Sequence, residues 1–191
     1  REGEFGAVAA YVFLRGPTGT WMLQQRLLAL DAVINDGFGF SVALSASGNR
    51  AIIGALGKNS QTGSAYVFTR DAADRWTEES QLSAEDGGTG DQFGYSVRLS
   101  DSGELALIGA PTQTVSEVYQ AGAAYVFVRD DLGSWTQQAK LVADVAESFA
   151  FLGTSVALSA SGDTALIGAD GGGASLGISA GSARVFTRDS E

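Results

Sequence analysis

Four kinds of hydrophobic pattern recur along the chain, each of the length of a β-strand. The first alternates large and small residues: SVALS at 41–45, SVRLS at 96–100 and SVALS at 155–159. One face of this strand, strand A, therefore carries little bulk. The second is an almost unbroken apolar run, AIIGA, LALIGA and ALIGA, ending at Ala55, Ala110 and Ala169. Such a run predicts a strand, B, covered on both faces. The third is SAYVFTR from Ser64, AAYVFVR from Ala123 and SARVFTR from Ser182, with an orphan copy, AAYVFLR, from Ala9. Its β-branched and aromatic residues favour a strand, C. The fourth starts at Trp21, Trp76 and Trp135 and runs on through WTEESQLSA and WTQQAKLVA in the last two. It is the most polar, as suits an outer strand D.

Turn residues separate these runs. SASGN, SDSGE and SASGD put Ser-Gly between A and B, a tight hairpin signal. RDAADRW and RDDLGSW connect C to D through Asp-rich turns. An FG or LG pair precedes each strand A, at Phe38, Phe93 and Leu152, and the blocks repeat about every 57 residues. Four antiparallel strands per unit, with an inner strand of little bulk and a polar outer one, predict an all-β fold of four-stranded propeller blades. Strand A then lines the central channel, and the Phe or Leu before each glycine packs between blades.

The whole chain, 1–191, reads as one such array. Residues 1–29 supply C and D of a partial blade, 38–84 and 93–143 are full blades, and 152–188 is a blade without its last strand. The sum is thirteen strands, or about 3.25 blades, fewer than the four to eight of a closed ring. An incomplete or open propeller is therefore expected, either a piece of a longer protein or an arc capped by neighbours. The chain starts at Arg1 without a signal-peptide pattern, as a processed or excised segment would.

Composition narrows the functions. A net charge of −10 opposes binding to nucleic acid or to anionic lipid, and favours solubility or a basic partner. No apolar run is long enough for a membrane span. Cysteine and histidine are both absent, which removes thiolate chemistry, the commonest general base and the commonest transition-metal ligand. Lysine occurs only as Lys58 and Lys140, and the carboxylates that pair are turn acids. A nucleophile–base pair cannot be assembled from this inventory, so no catalytic residue is assigned and an enzyme is not expected.

The FG…GA framing, followed by AYVF and a tryptophan, resembles the FG-GAP repeat of integrin-α-type β-propellers. The resemblance covers nearly the whole chain. It implies an extracellular or cell-surface protein of the adhesion type, binding another protein or a glycan through the face that carries the loops. It also raises calcium, which some of these repeats bind in an Asp-rich A–B hairpin. The hairpins here hold only Asp101 and Glu104, or Asp163 alone, too few oxygen ligands. The D–A connection AEDGGTGDQFG is the better calcium candidate, through Glu85, Asp86 and Asp91, the alternative being a solvated loop. No other cofactor is expected.

The B–C connections, 56–62, 111–121 and 170–180, are the most variable segments and share a face with the D–A loops. Val115, Val118 and Tyr119 in the second, and Leu176 and Ile178 in the third, are apolar residues in polar or Gly-rich surroundings. They are the candidate partner contacts, unless they fold back over a blade edge. The recurring tryptophans fit packing between blades. The arginines that end strand C, Arg15, Arg70, Arg129 and Arg188, fit local turn contacts. Three functions follow: an interaction scaffold, an accessory subunit of a large assembly whose neighbours cap the open blades, or an appendage to an enzyme whose catalytic domain lies elsewhere.

Overall fold

The computed structural model describes residues 9–171 and 180–188. Among them thirteen strands form four antiparallel sheets of two, four, four and three strands. β1 (Ala10–Arg15) and β2 (Trp21–Leu27) pair alone, as strands C and D of a partial blade. β3 (Phe38–Leu44), β4 (Arg50–Ala55), β5 (Ser64–Arg70) and β6 (Trp76–Leu82) follow in spatial order as the first full blade. β7 (Ser96–Leu99), β8 (Leu105–Ala110), β9 (Ala123–Arg129) and β10 (Trp135–Leu141) make the second. β11 (Leu152–Leu158), β12 (Thr164–Ala169) and β13 (Ser182–Thr187) make the third, three-stranded blade. This is the open propeller that the pattern predicts.

Strand A differs from expectation at its start. In the first and third blades the FG or LG pair is already part of the strand, with a register break between Phe38 and Ser41 and between Leu152 and Ser155. In the second blade the pair lies ahead of the strand, and Phe93 bridges Gly63 of the preceding blade in parallel, as Leu152 bridges Gly122.

The core is divided among the gaps between blades, and strand B explains why. Its successive side chains point to opposite faces, so each apolar residue joins a different gap. Ile53 packs with Leu27, Phe38, Tyr66 and Trp76 between the partial and first blades. Ile52 packs with Val67, Phe93, Val97 and Ile108 between the first and second. Leu107 packs with Leu152, Ala165 and Ile167 between the second and third. Every residue of β8 is buried, whereas β12 alternates because no described blade covers its far face. The tryptophans behave likewise: Trp76 is 4% exposed and Trp21, on the open side of the partial blade, 64%.

The FG and GA motifs meet across the first–second and second–third gaps. Ser41 Oγ donates to the Gly94 carbonyl of the next blade at 2.7 Å, and Ser96 Oγ to the Gly153 carbonyl at 2.7 Å. Gly153, at φ +102°, turns its carbonyl onto Gly109, where a Cβ would lie 2.0 Å from that oxygen. The glycine of GA therefore leaves room for the glycine of the following FG, and a serine of strand A fastens it.

Candidate functional site

The D–A loop of each later blade zips onto the B–C loop of the blade before it. Gln92 and Phe93 donate their amides to the carbonyls of Gln61 and Thr62, at 2.8 and 3.0 Å. Phe149, Phe151 and Leu152 donate theirs to Tyr119, Gln120 and Ala121, at 3.1, 3.2 and 3.0 Å. These paired loops form one end of the propeller, opposite the A–B and C–D hairpins.

Within the first blade the D–A loop also meets that blade's own B–C loop and strand C through polar, mutually satisfied side chains. Lys58 donates to the carboxylates of Asp31 and Asp36 at 3.0 and 2.9 Å, and Tyr66 Oη donates to Asp31 at 2.7 Å. Burial works against the Asp31 charge, but the hydrogen bonds from Tyr66 and Lys58 outweigh it and hold its carboxyl below the usual value. Burial likewise opposes the Lys58 charge, and the two aspartates outweigh it and raise the ammonium.

The second blade rebuilds the cluster with different residues. Tyr125 Oη donates to Asp86 at 2.8 Å and lies against Gln113, which takes the place of Lys58. The cation comes from strand D, as Lys140 reaches Asp86 at 2.6 Å. Asp91 accepts from the Gly88 amide at 2.7 Å, and its burial, reinforced by the charge of Asp86, pushes its carboxyl above the usual value. Glu85 is exposed and offers its amide to Gln137. Glu85, Asp86 and Asp91 thus do not converge. Among the described residues no group of three or more acids could hold a metal ion. The cation beside Asp86 is an ammonium.

The third D–A loop breaks the pattern. Val145 and Ala150 stand where the earlier loops have their two aspartates, and Arg184 where they have tyrosine. Two new aromatics appear instead. Phe149 occupies the repeat position of Asn35 and Gly90, and Phe151 that of Gly37 and Gln92. All six have positive φ, Phe149 at 59° and Phe151 at 55°. Asn and Gly adopt this conformation readily, while for a bulky side chain it is an outlier. Phe149 makes an edge contact with Tyr119 at 5.4 Å between ring centroids, and Phe151 lies 6.3 Å from Phe149. Tyr119 is 56% exposed and Phe149 51%. The exposed acids Glu117 and Asp144 lie on the same loops, and the exposed Asp170 opens the B–C loop of the third blade.

The expected partner contacts therefore divide. Tyr119 is exposed as expected. Val115 is buried and pairs its backbone with Val118 in a small antiparallel bridge, and both pack on the core between the first and second blades. They cover a blade edge, Val115 buried and Val118 half-buried. Leu176 and Ile178 lie outside the described residues. Phe149 and Phe151 are missing from the expected set, and their only sequence signal is the exchange of turn formers for phenylalanine in register.

Three stretches of the chain, 21–68, 76–127 and 135–186, match the FG-GAP repeat family. The chain belongs to that family. Each matched stretch opens at a tryptophan of strand D and closes on strand C of the next blade. The FG-GAP unit thus straddles a gap between blades, and β1 plus three such units accounts for the thirteen described strands. No curated protein matches the chain by sequence. Among solved structures it is similar to a crystal structure of a protein from Lactobacillus plantarum, with 15% identity and a TM-score of 0.61. That likeness covers 94% of this chain and 45% of the other, so this chain spans less than half the length of its structural relative. It shows the fold alone. FG-GAP repeats build propeller-type interaction domains, and no described helix is long and apolar enough to cross a membrane.

Proposed function

We propose that this chain is a non-enzymatic binding module that engages a basic polypeptide segment through Tyr119, Phe149 and Phe151. The observation that carries the reading is the pair of phenylalanines held at left-handed backbone positions. Two earlier repeats fill the Phe149 position with Asn35 and Gly90, at lower conformational cost, and bury no aromatic there. Rigid exposed aromatics on loops are the usual anchors of a protein interface. The flanking acids and the net charge of −10 complement a basic partner and steer its approach. An extracellular or cell-surface setting and an adhesion-type role belong to the same reading. A glycan is the weaker ligand, because phenylalanine brings no hydrogen bond to a sugar hydroxyl.

Selection from a random-peptide display library tests this. Peptides enriched on the native chain are expected to carry basic residues beside an apolar one, and to lose at least about tenfold in affinity, roughly 1.4 kcal/mol, on the Phe149→Ala, Tyr119→Ala variant. Peptides that bind both proteins equally would overturn the reading, and glycan-array hits lost on the same variant would replace it.

One observation favours the second reading, an assembly subunit. Tyr11, Phe13, Trp21, Met22 and Leu23 of the partial blade are all exposed, as are Leu166 and Val185 of the last. Such faces are covered in stable assemblies. Light scattering of the isolated chain separates the readings, since a monodisperse monomer removes the need for capping neighbours.

A further inference from the structure

The hairpin end of the propeller carries a second feature, unrelated to the loop face, and it begins with a stranded donor. The indole Nε1 of Trp135 is buried and has no hydrogen-bond partner, alone among the buried side-chain nitrogens and oxygens of the described residues. Such a group forfeits the hydrogen bond it makes in water. One gap earlier the same atom is satisfied, as Trp76 Nε1 donates to Gln24 Oε1 at 3.0 Å. Gln25 completes that grip, accepting from the Trp76 amide at 2.9 Å and donating to the Trp76 carbonyl at 2.8 Å.

The side chain that should serve Trp135 is present but engaged elsewhere. Glu79 stands at the repeat position of Gln24 and is equally long. Arginines take both its oxygens, Arg50 at 3.2 Å and Arg129 at 2.7 Å. The same two arginines reach Glu104 at 2.8 and 3.3 Å, so four charges close a ring between the first and second blades. In the earlier gap the counterpart of Arg129 is Arg70, which donates from Nε and Nη2 to Asn49 at 3.0 and 2.8 Å and lies 6.0 Å from the Trp76 ring centre. Gln24 has no charge to draw that arginine and keeps its indole. The exchange of Gln24 for Glu79 gives one carboxylate two claimants, and the arginines win because charge-assisted hydrogen bonds are the stronger ones.

We propose that Glu79 is a two-position clasp, which holds the arginines while their charge is unscreened and turns to the Trp135 indole when salt screens the ring. Gln24 shows that a side chain of this length, at this position, reaches the indole of the next blade. The ring lies at the rim, with Glu104 45% exposed, so dissolved ions have access to it. Both positions tie strand D of the first blade to the second, through Arg129 in one and Trp135 in the other. The rim contact therefore survives conditions that dissolve an ordinary surface ion pair.

The test follows the indole N–H resonances of the whole chain by NMR, from low salt to about 1 M sodium chloride, where the screening length falls to about 3 Å. An indole proton that gains an acceptor moves downfield. The Trp135 proton is expected to move downfield with salt, while that of Trp76, already bonded to Gln24, stays in place. Arg50→Leu loosens the ring and should bring the Trp135 proton downfield at low salt as well. Glu79→Ala should abolish the response. A Trp135 resonance that ignores salt in the native chain would overturn the proposal. So would an equal movement in Glu79→Ala, which would assign the acceptor to a water molecule. Contacts from the indole proton to the Glu79 methylene groups at high salt decide the matter in the native chain, even if neither variant folds.

Discussion

The gap between the first and second blades and the gap between the second and third share their strand A, B and C positions, the third blade having no strand D among the described residues, and they diverge most at their two rims. Their centres are alike: an apolar strand B on each side, a Phe or Leu from the FG or LG pair, and a serine–glycine latch at 2.7 Å. At the hairpin rim one gap has a closed ring of four charges, Arg50, Glu79, Glu104 and Arg129, and the other has Leu105, Gln138, Asp163 and Arg188 at the same repeat positions. At the loop rim one has a tyrosine–aspartate–lysine cluster and the other exposed aromatics. The backbone contact that defines the stack is thus kept, while the side chains around it are free to diverge. Stability resides at the centre of each gap and individuality at its edges.

The largest effect should come from the latch. Gly109→Ala puts a Cβ 2.0 Å from the Gly153 carbonyl and 2.4 Å from Ser96 Oγ, so the third blade must move away. A cost of about 3 kcal/mol or more is expected in urea unfolding. Gly168→Ala changes the same motif in the last blade, where the new Cβ meets only the rotatable Ser155 Oγ, at 2.3 Å, and no described blade follows. It should cost about 1 kcal/mol or less. Equal costs would mean that the GA glycine serves the hairpin of its own blade and not the stack.

This contrast also marks what the sequence makes legible. Strand order and grouping follow from a repeated pattern in register, because apolar alternation and turn residues act locally and every copy repeats the evidence. The gap-specific parts do not. Arg50, Glu79, Glu104 and Arg129 come from separate segments, and only the stacking of blades brings them together. Val115 and Val118 look like surface residues because a polar loop surrounds them, yet a two-residue bridge folds them inward. Of the aromatic cluster only Tyr119 stands out in sequence. Phe149 and Phe151 are informative through their φ, a backbone property that composition does not display.

An intermediate effect is expected at the charged ring. Arg50→Leu leaves Glu79 and Glu104 with Arg129 alone, in a setting where Arg50 and Glu79 are 12% and 13% exposed. The expected cost is about 1–3 kcal/mol, between the ranges for surface and buried pairs. Adding Glu79→Gln reproduces the composition of the next gap. The double variant should then be less destabilised than the sum of the singles, with a coupling of about 1 kcal/mol. Strict additivity would show that the four charges do not act as one ring.

The smallest effect, and the one that separates the loop rims, is pH dependence. Burial, followed by the hydrogen bond to Asp86, raises the phenol of Tyr125 far above its ordinary 10.0. Burial, followed by Asp31, does the same for Tyr66. Above pH 10 the unfolded chain loses these protons and the folded chain keeps them, so the native state binds more protons and stability falls as pH rises. Each such tyrosine contributes a slope of about 1.4 kcal/mol per pH unit once the unfolded phenol has ionised. Lys58, raised above its ordinary 10.5 by Asp36 and Asp31 against the pull of burial, adds to the fall in the same range. The gap between the second and third blades has Arg184 in place of the tyrosine, so it holds no counterpart of this phenol. Urea unfolding between pH 9 and 11 should therefore show Tyr125→Phe less stable than the native chain at pH 9 but flatter toward pH 11, by the equivalent of one proton. Hydrogen exchange should show amides at the loop rims of the first two gaps losing protection before those at the third. If Tyr125→Phe shifts the curve without changing its slope, the phenol is not held neutral by its cluster. The two loop rims would then differ in shape alone and not in their electrostatics.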